Sequence, residues 1–388
     1  MWAGACLRRR LQSVAFSVSV AVIGVGGLVA GGAEAKGITT SGPVPVAGSS
    51  VTKWASATDK SPSGAHCSDY MFKVSLSASE PKKYELFGRL CHQGAVNGRT
   101  LEILVAGGTY NHTYWDFPYE PNKYSYVRYA TSAGYVTLDM DRLGYGYSSH
   151  VDPVGTTFER QGWVLHQVVQ EIQDGELGAR FYKIVLVAHS MGSFTAWNEA
   201  GTYHDVDGVI ITGAEHAIGA VGAAEVAAIV NEPAQLDPKF AGKHLPVGYL
   251  TTWPGTRCTV VYHQGDVDPH VCAVDEQTKD TVNAGEIATY PTSVLDTSLS
   301  SSISVPVLMA DGQYDQFYCL SSCSLPSVAA HEKAAYKDTP CYEAYYLPDA
   351  GHDIDLHLNS DLFYAKATQW LNSRIGSSSS GPATNACA

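Results

Sequence analysis

From residue 101 onward, short apolar runs alternate with longer stretches in which apolar residues recur at helical spacing. Each run is as short as a strand and almost wholly apolar, which is typical of strands buried on both faces of a sheet. These runs cover residues 101–106, 135–140, 183–188, 206–212, 305–309 and 342–347. Strands that alternate with helices predict crossover connections and an α/β fold, with a mostly parallel sheet flanked by helices.

The alternation stops after residue 216 and resumes at residue 305, which divides the chain into segments. We predict a core formed by residues 67–216 and 305–375, with residues 217–304 inserted as a cap or lid. Residues 36–66 are rich in Gly, Ser, Thr and Pro without apolar periodicity, and they predict an extended N-terminal segment. Residues 376–388 are a Ser/Gly-rich tail.

Residues 1–35 have the order of a signal peptide. Three arginines at positions 8–10 precede an apolar stretch, and Ala33, Glu34 and Ala35 follow as a cleavage site with small residues. This order predicts cleavage after Ala35 and a secreted protein. An uncleaved membrane anchor is the alternative, but Gln12 and several Ser and Gly residues weaken it.

Cys6 lies in this leader, and the other eight of the nine cysteines follow it. An even number of cysteines in an exported chain indicates disulfide bonds. Proximity in sequence favours Cys67 with Cys91 and Cys258 with Cys272. We expect no metal site, because the cysteines lack the C-x-x-C spacing of zinc sites.

Net charge limits the partners of the chain. With 25 Lys and Arg against 38 Asp and Glu, the formal net charge is -13. Such a surface repels a phosphate backbone, so nucleic acid is not an expected partner, and no membrane is expected as a partner after signal cleavage. The charge is compatible with a neutral or weakly polar small-molecule substrate.

A candidate nucleophile lies between the predicted strand 183–188 and the helix that follows it. The sequence Val-Ala-His-Ser-Met-Gly at residues 187–192 places Ser190 on a tight turn. Ala188 and Gly192 are small enough for strand and helix to approach, and the turn exposes the serine hydroxyl at the carboxyl edge of the sheet. Ala188 stands where the G-x-S-x-G pattern has its first glycine.

A serine at its ordinary pKa needs a histidine as general base and a carboxylate that orients this histidine. On this type of turn the chain order is serine, acid, histidine. His352 follows the last predicted strand, and Asp315 ends the turn after the strand at 305–309. Asp315 is the first choice for the acid, while Glu215, after the strand at 206–212, and Asp311 remain alternatives.

Backbone N–H groups stabilise the oxyanion that forms when a serine attacks a carbonyl group. Met191, directly after the nucleophile, supplies one donor. Gly108, in the glycine turn after the first predicted parallel strand, supplies the other. The candidate substrate contacts are Thr109, Tyr110, His189 and Trp253. The inserted segment offers further aromatic faces at Tyr249, Tyr262 and Tyr290.

These features resemble the α/β-hydrolase family over residues 86–374. The segment Asp-Arg-Leu-Gly-Tyr-Gly-Tyr-Ser at residues 141–148 is similar to the family's D-x-x-G-x-G-x-S loop, and Asp315 and His352 lie where its acid and base lie. The resemblance implies an eight-stranded, mostly parallel sheet and hydrolysis through an acyl-enzyme. The chain departs from many members at Ala106, where they carry a histidine. Some lactone-cleaving members resemble the Glu215 arrangement instead.

The motifs together predict a secreted serine hydrolase that cleaves a carboxylic ester or lactone and needs no cofactor. One alternative is a peptidase of the aminopeptidase type, which would use the same triad and bind a free amine through carboxylates of the inserted segment. The candidates for that role are Glu225, Glu232 and Asp237. The other alternative is a binding protein that retains the fold without catalytic activity.

Overall fold

A computed structural model of the chain describes residues 50–379, except residues 56, 58, 217–219 and 319–324. The described residues belong to one compact unit. The predicted signal peptide, residues 36–49 of the predicted extended segment and residues 380–388 of the tail lie outside the described residues.

One large sheet organises the described residues. The strands in chain order are β1 (Val51–Trp54), β2 (His66–Val74), β3 (Tyr84–His92), β4 (Leu101–Val105), β5 (Val136–Met140), β6 (Ile184–His189), β7 (Gly208–Thr212), β8 (Glu232–Pro233), β9 (Tyr249–Thr251), β10 (Val282–Asn283), β11 (Val307–Gly312) and β12 (Tyr342–Leu347). Nine of them form this sheet in the order β1-β2-β3-β5-β4-β6-β7-β11-β12. Its first three strands pair antiparallel, and from β5 to the far edge all neighbours are parallel. The predicted α/β fold with a mostly parallel sheet is confirmed.

The predicted count of eight strands is one too low. The additional strand, β1, pairs antiparallel with β2 at the edge of the sheet. It is only four residues long and lies within a stretch rich in Ser, Thr and Ala, so its sequence shows no clear alternation of its own. Pairing with β2 therefore determines its conformation, and part of the predicted extended segment 36–66 belongs to the sheet.

Helices connect the strands and cover the sheet. They are α1 (Pro121–Tyr124), α2 (Tyr126–Ser132), α3 (Phe158–Gln173), α4 (Met191–Tyr203), α5 (Ala220–Ile229), α6 (Arg257–Val260), α7 (Pro269–Thr278), α8 (Ala284–Ser293), α9 (Ser298–Ser302), α10 (Leu325–Ala335) and α11 (Ser360–Arg374). In α3, the Thr157 side chain caps the first turn, and buried apolar residues at 164, 165, 168, 169 and 172 recur at helical spacing. This helix packs against α4, which follows Ser190.

The insertion, defined here as residues 220–304, holds α5 to α9 and a small sheet with the strand order β10-β9-β8. Val271, Val282 and Tyr290 belong to the same hydrophobic core as the main sheet. A separate small cluster contains Ala234, Phe240 and Tyr249. The insertion therefore packs directly onto the core, and the boundaries of the predicted cap stay a prediction.

Two disulfide bonds match the expected pairs. Cys67 and Cys91 join β2 to β3, and Cys258 and Cys272 join α6 to α7. Cys341 is disulfide-bonded as well. Within the described part of the chain, no helix combines the length and apolar character needed to cross a membrane.

Candidate active site

The turn between β6 and α4 presents Ser190 at the carboxyl edge of the sheet. Its backbone has a φ of 51° and a ψ of -121°, a conformation that residues other than glycine rarely adopt. Its N–H donates to the carbonyl oxygen of Thr212 at 2.8 Å. A Cβ atom at Gly192 would overlap the backbone oxygens of Val105 and Ala106. Glycine at this position therefore allows α4 to begin directly against the loop after β4.

The structure brings Ser190, His352 and Asp315 together. The Oγ atom of Ser190 lies 2.9 Å from Nε2 of His352, and Nδ1 of His352 lies 2.7 Å from Oδ2 of Asp315. The other carboxylate oxygen of Asp315 accepts a hydrogen bond from the N–H of Phe317 at 2.8 Å. The Phe317 ring also packs edge-on against the imidazole, with 4.4 Å between the ring centroids. These contacts hold the His352 imidazole and the Asp315 carboxylate in one orientation.

The charges of His352 and Asp315 shift each other's pKa. Burial by itself lowers the pKa of His352, but the charge of Asp315 and the hydrogen bond to it raise that pKa above its ordinary value. Burial raises the pKa of Asp315, but the charge and hydrogen bond of His352 lower it overall. At neutral pH Asp315 is therefore an anion that can orient the imidazole and stabilise its protonated form.

The two alternative acids differ from Asp315 in their hydrogen bonds and protonation. Glu215 accepts a hydrogen bond from the hydroxyl of Tyr346 at 2.7 Å, and burial raises its pKa to about 8. Asp311 accepts from the N–H of Gly312 at 2.7 Å, and burial together with the charge of Asp315 raises its pKa well above the ordinary value. Of the three carboxyl groups, Asp315 is the one that His352 Nδ1 bonds.

The predicted oxyanion loop lies directly against the nucleophile. Gly108 packs so closely on the Met191 side chain that a Cβ at position 108 would overlap its sulfur. Met191 is the first residue of α4, where an N–H group has no acceptor within the helix. Thr109 has a φ of 61° and is held by two groups of the insertion: Arg257 donates to its hydroxyl at 2.7 Å, and Asp280 N–H donates to its carbonyl at 2.8 Å.

A cavity that is partly open to solvent adjoins Ser190. Its wall contains Gly108, Thr109, Tyr110, Met191 and His352. Two of these residues, Thr109 and Tyr110, are among the substrate contacts that the sequence predicts. Most of the remaining wall is apolar and consists of Val226, Ile229, Val230, Val261, Ile287 and Phe317. Of the aromatic residues expected from the insertion, Tyr290 lines this cavity, whereas Tyr249 and Tyr262 do not.

Two predicted substrate contacts lie outside the cavity wall. His189 is fully buried beneath the site, where its ring nitrogens lie 2.9 Å from Thr212 Oγ1 and 3.0 Å from Asp353 Oδ1. It precedes the turn, so its side chain points into the core and not to the exposed edge. Trp253 is 42% exposed, and its indole N–H donates to Asn231 on the surface of the insertion.

The carboxylates considered for binding a free amine are also elsewhere. Glu232 and Asp237 are buried outside the cavity wall, and Asp237 pairs with Lys279 at 2.7 Å. The side chain of Glu225 lies outside the described residues. Among the described residues, no carboxylate of the insertion therefore lines the cavity beside Ser190.

The sequence profile of the alpha/beta hydrolase family matches residues 103–367, which is more than half of the chain. The chain belongs to the alpha/beta hydrolase family. The match runs from β4 through α11 and contains Ser190, Asp315 and His352. No curated protein matches the chain by sequence.

Solved structures of other alpha/beta hydrolases share the fold at low sequence identity. A thermophilic esterase from Thermogutta terrifontis is 17% identical, with a TM-score of 0.51 over 76% of this chain and 96% of the esterase. A monoacylglycerol lipase from Paleococcus ferrophilus is also 17% identical, with a TM-score of 0.50 over 74% of this chain and 98% of the lipase. At these identities the similarity concerns the fold.

In this alpha/beta hydrolase, a buried arginine joins the insertion to the oxyanion loop. Arg257 donates to both carboxylate oxygens of Asp275 at 2.9 Å and to the hydroxyl of Thr109 at 2.7 Å. Its guanidinium lies over the ring of Tyr110, 4.2 Å from the centroid, and the Tyr110 hydroxyl donates to Asp353. Sequence reasoning missed Arg257, because Arg257 and Thr109 are 148 positions apart and no local motif marks the pair.

Replacing Arg257 by methionine should destabilise the fold by about 3–5 kcal/mol, because it leaves the Asp275 carboxylate buried without its cation. The double variant Arg257→Met/Asp275→Asn removes the remaining charge and should recover part of that loss. Urea denaturation of both variants and the wild type measures the difference. Equal losses in the single and double variants would contradict a stabilising role of the ion pair.

Proposed function

We propose that this chain is a serine hydrolase that cleaves carboxylic esters, lactones included, through an acyl-enzyme. The observation that supports the proposal most directly is the hydrogen-bonded series from Ser190 Oγ through His352 to Asp315, with separations of 2.9 and 2.7 Å. This arrangement lets an imidazole remove the serine proton as the oxygen attacks. The solved structures named above include an esterase and a monoacylglycerol lipase, whose names indicate the same class of reaction.

In the proposed mechanism, Ser190 Oγ attacks the carbonyl carbon and His352 Nε2 takes its proton. The carbonyl oxygen becomes an oxyanion, which the N–H groups of Gly108 and Met191 stabilise. Collapse of this intermediate breaks the ester bond, and His352 gives its proton to the departing alcohol oxygen. Water then attacks the acyl-enzyme with His352 again as base, which releases the carboxylic acid and restores Ser190.

The cavity favours an uncharged substrate with an apolar acyl or alcohol group. Its wall beside Ser190 is mostly aliphatic and aromatic, as is usual for small-molecule sites. Arg257 is the cation in the wall, and its charge is matched by the bidentate contact with Asp275. We therefore expect no preference for substrates with a free carboxylate.

Replacing Ser190 by alanine should reduce turnover of the best substrate by a factor on the order of 10⁴ or more, because the nucleophile is lost. The measurement is hydrolysis of p-nitrophenyl esters of increasing acyl length, aliphatic and aromatic lactones, and aminoacyl-nitroanilides. Ser193→Ala is the matched control, since Ser193 lies one turn further along α4 and its hydroxyl donates to the carbonyl of Thr212.

A fluorophosphonate probe gives a second reading of the same proposal, since it reacts with activated serines. The wild type and Ser193→Ala should be labelled and Ser190→Ala should not. Labelling that persists in Ser190→Ala would exclude Ser190 as the nucleophile. An unreactive wild type would indicate a binding protein, and a preference for the nitroanilides would indicate a peptidase.

Activity should rise with pH through an apparent pKa above 6.5, the ordinary histidine value, because Asp315 stabilises protonated His352 and only the neutral imidazole acts as base. Removing the carboxylate charge in Asp315→Asn should shift this acid limb to lower pH and reduce kcat by about 10³–10⁴. Glu215→Gln should change neither quantity at neutral pH. The profile of kcat/KM between pH 5 and 9 checks this, and an effect of Glu215→Gln equal to that of Asp315→Asn would reassign the acid.

We also propose that the protein is secreted after cleavage of residues 1–35. The order of charges and apolar residues in that segment supports export, and so do the disulfides Cys67–Cys91 and Cys258–Cys272. Expression of the full chain in a secreting host should yield a culture-medium protein whose N-terminus is Lys36. Mass spectrometry of the intact protein measures this, and retention of residues 1–35 in the membrane fraction would refute the proposal.

A further inference from the structure

A histidine and two carboxylates converge where α3 packs against the end of α4. His166 lies on α3, Glu199 lies near the end of α4, and Asp205 lies in the loop that leads to β7. One nitrogen or oxygen atom from each side chain lies within 4.8 Å of the others. Glu199 follows Ser190 by nine residues along α4, or about 13 Å, so this cluster is separate from the candidate active site.

Several atoms of this cluster are buried and lack hydrogen-bond partners among the described residues. They are both carboxylate oxygens of Glu199 and Oδ1 of Asp205, whereas Nδ1 of His166 lies 2.8 Å from Oδ2 of Asp205. Glu199 is 0% exposed. A buried polar atom without a partner costs free energy, and a buried carboxylate costs more than a neutral group. Unpaired atoms that face one another in this way are typical of a site that holds a ligand.

Neighbouring residues hold two of the three side chains, His166 and Asp205, in place. The His166 ring stacks on Tyr203, with 3.8 Å between centroids and 13° between planes. Gln170 donates to Oδ2 of Asp205 at 2.8 Å, and Gln173 donates to its backbone carbonyl at 2.8 Å. These contacts orient His166 and Asp205 toward Glu199, in the way that outer residues fix metal ligands elsewhere.

We propose that His166, Glu199 and Asp205 bind a divalent transition-metal ion, with Zn²⁺ as the first choice. One imidazole nitrogen with two carboxylates is a donor set that zinc accepts, whereas Ca²⁺ and Mg²⁺ prefer oxygen ligands alone. The three ligand atoms, now within 4.8 Å of one another, would close around the ion to the roughly 2.0–2.2 Å that zinc requires. The side chains of His166 and Asp205 are 18% and 15% exposed, so the ion can enter and water can complete its coordination.

The competing explanation is a proton in place of the ion. Burial and the neighbouring Asp205 raise the pKa of Glu199 well above its ordinary value, and a protonated Glu199 can donate to that carboxylate. One shared proton, however, pairs a single oxygen of Glu199 with a single oxygen of Asp205. It leaves the second Glu199 oxygen without a partner, whereas an ion contacts all three residues.

Such an ion would link α3 to the end of α4 and would contribute to stability and not to ester cleavage. The test uses the untagged chain after removal of its leader and dialysis against a chelator. Titration with ZnCl₂, followed by calorimetry, should show one equivalent bound. At a hundredfold excess over Kd the melting temperature should rise by roughly 3 °C or more.

Two isosteric variants distinguish the ion from the proton. Glu199→Gln and Asp205→Asn should each weaken zinc affinity at least about tenfold, as expected when a charged ligand is lost. The matched control is Glu159→Gln, which removes an exposed carboxylate from α3, the helix that carries His166. This variant should bind zinc like the wild type. Without metal, Glu199→Gln should be at least as stable as the wild type, because it no longer buries an ionisable group.

Co²⁺ provides a spectroscopic reading, since its visible absorption bands report the ligands that surround it. These bands should appear with the wild type and disappear in His166→Gln. Absence of saturable zinc binding, or wild-type affinity in both Glu199→Gln and Asp205→Asn, would overturn the proposal in favour of the shared proton. Ester hydrolysis is measured in parallel and should be unchanged in these variants, so that failure of this site is distinguished from failure of the proposed activity.

Discussion

The candidate active site depends on how closely the β6–α4 turn approaches the strands on either side. Ser190 holds a φ of 51° there, and such backbone persists only where surrounding contacts enforce it. On the side of β4 the turn can approach closely because residue 192 is glycine. A Cβ at that position would overlap the backbone oxygens of Val105 and Ala106. On the other side, a Cβ at Gly213 would lie 2.7 Å from the His189 ring and 3.0 Å from the His352 ring. Small residues on both sides thus allow nucleophile and base to meet.

The contact with His352 then decides which carboxyl group is the anion. Asp315, Asp311 and Glu215 all lie near the carboxyl ends of β7 and β11, and burial disfavours the charged form of each. His352 lowers the pKa of Asp315 alone among them, while the charge of Asp315 raises the pKa of the other two. One negative charge next to the imidazole is therefore stabilised at the expense of the others, and this selects a single orientation of His352.

Only part of the candidate site can be predicted from the sequence, because the charges around a side chain depend on the fold. The sequence predicts Ser190 from a short local motif and His352 from its position after the last predicted strand, and the structure places the two side chains 2.9 Å apart. For the acid, the sequence favours Asp315 but keeps Glu215 and Asp311 as alternatives, since strand-end placement is shared by all three and only the surrounding charges separate them. The prediction that His189 and Trp253 contact substrate is wrong for the cavity beside Ser190. Proximity in sequence to Ser190, or an aromatic ring in the insertion, does not determine which way a side chain points.

Contacts between distant segments were beyond prediction for the same reason. The edge strand β1 depends on its partner β2, and the Arg257–Asp275 pair lies in an insertion whose sequence shows no periodicity. The cluster of His166, Glu199 and Asp205 combines two helices and a loop, with no spacing that a metal motif would show. In each case the residue type alone does not predict the contact, because the partner residue is distant in sequence and only the fold brings the two together.

The insertion contacts the predicted oxyanion loop as well as forming part of the cavity wall. Thr109 keeps its left-handed backbone because Arg257 and the N–H of Asp280 both hold it, and Gly108 precedes it in the oxyanion loop. The apolar wall comes from other residues of the insertion, such as Val226, Ile229 and Ile287. Since the two sets of side chains are different, substitutions in the wall can alter substrate preference while Arg257 preserves the oxyanion loop. In the proposed mechanism, the apolar residues of the insertion would affect substrate preference, and Arg257 would act on the chemical step through Thr109.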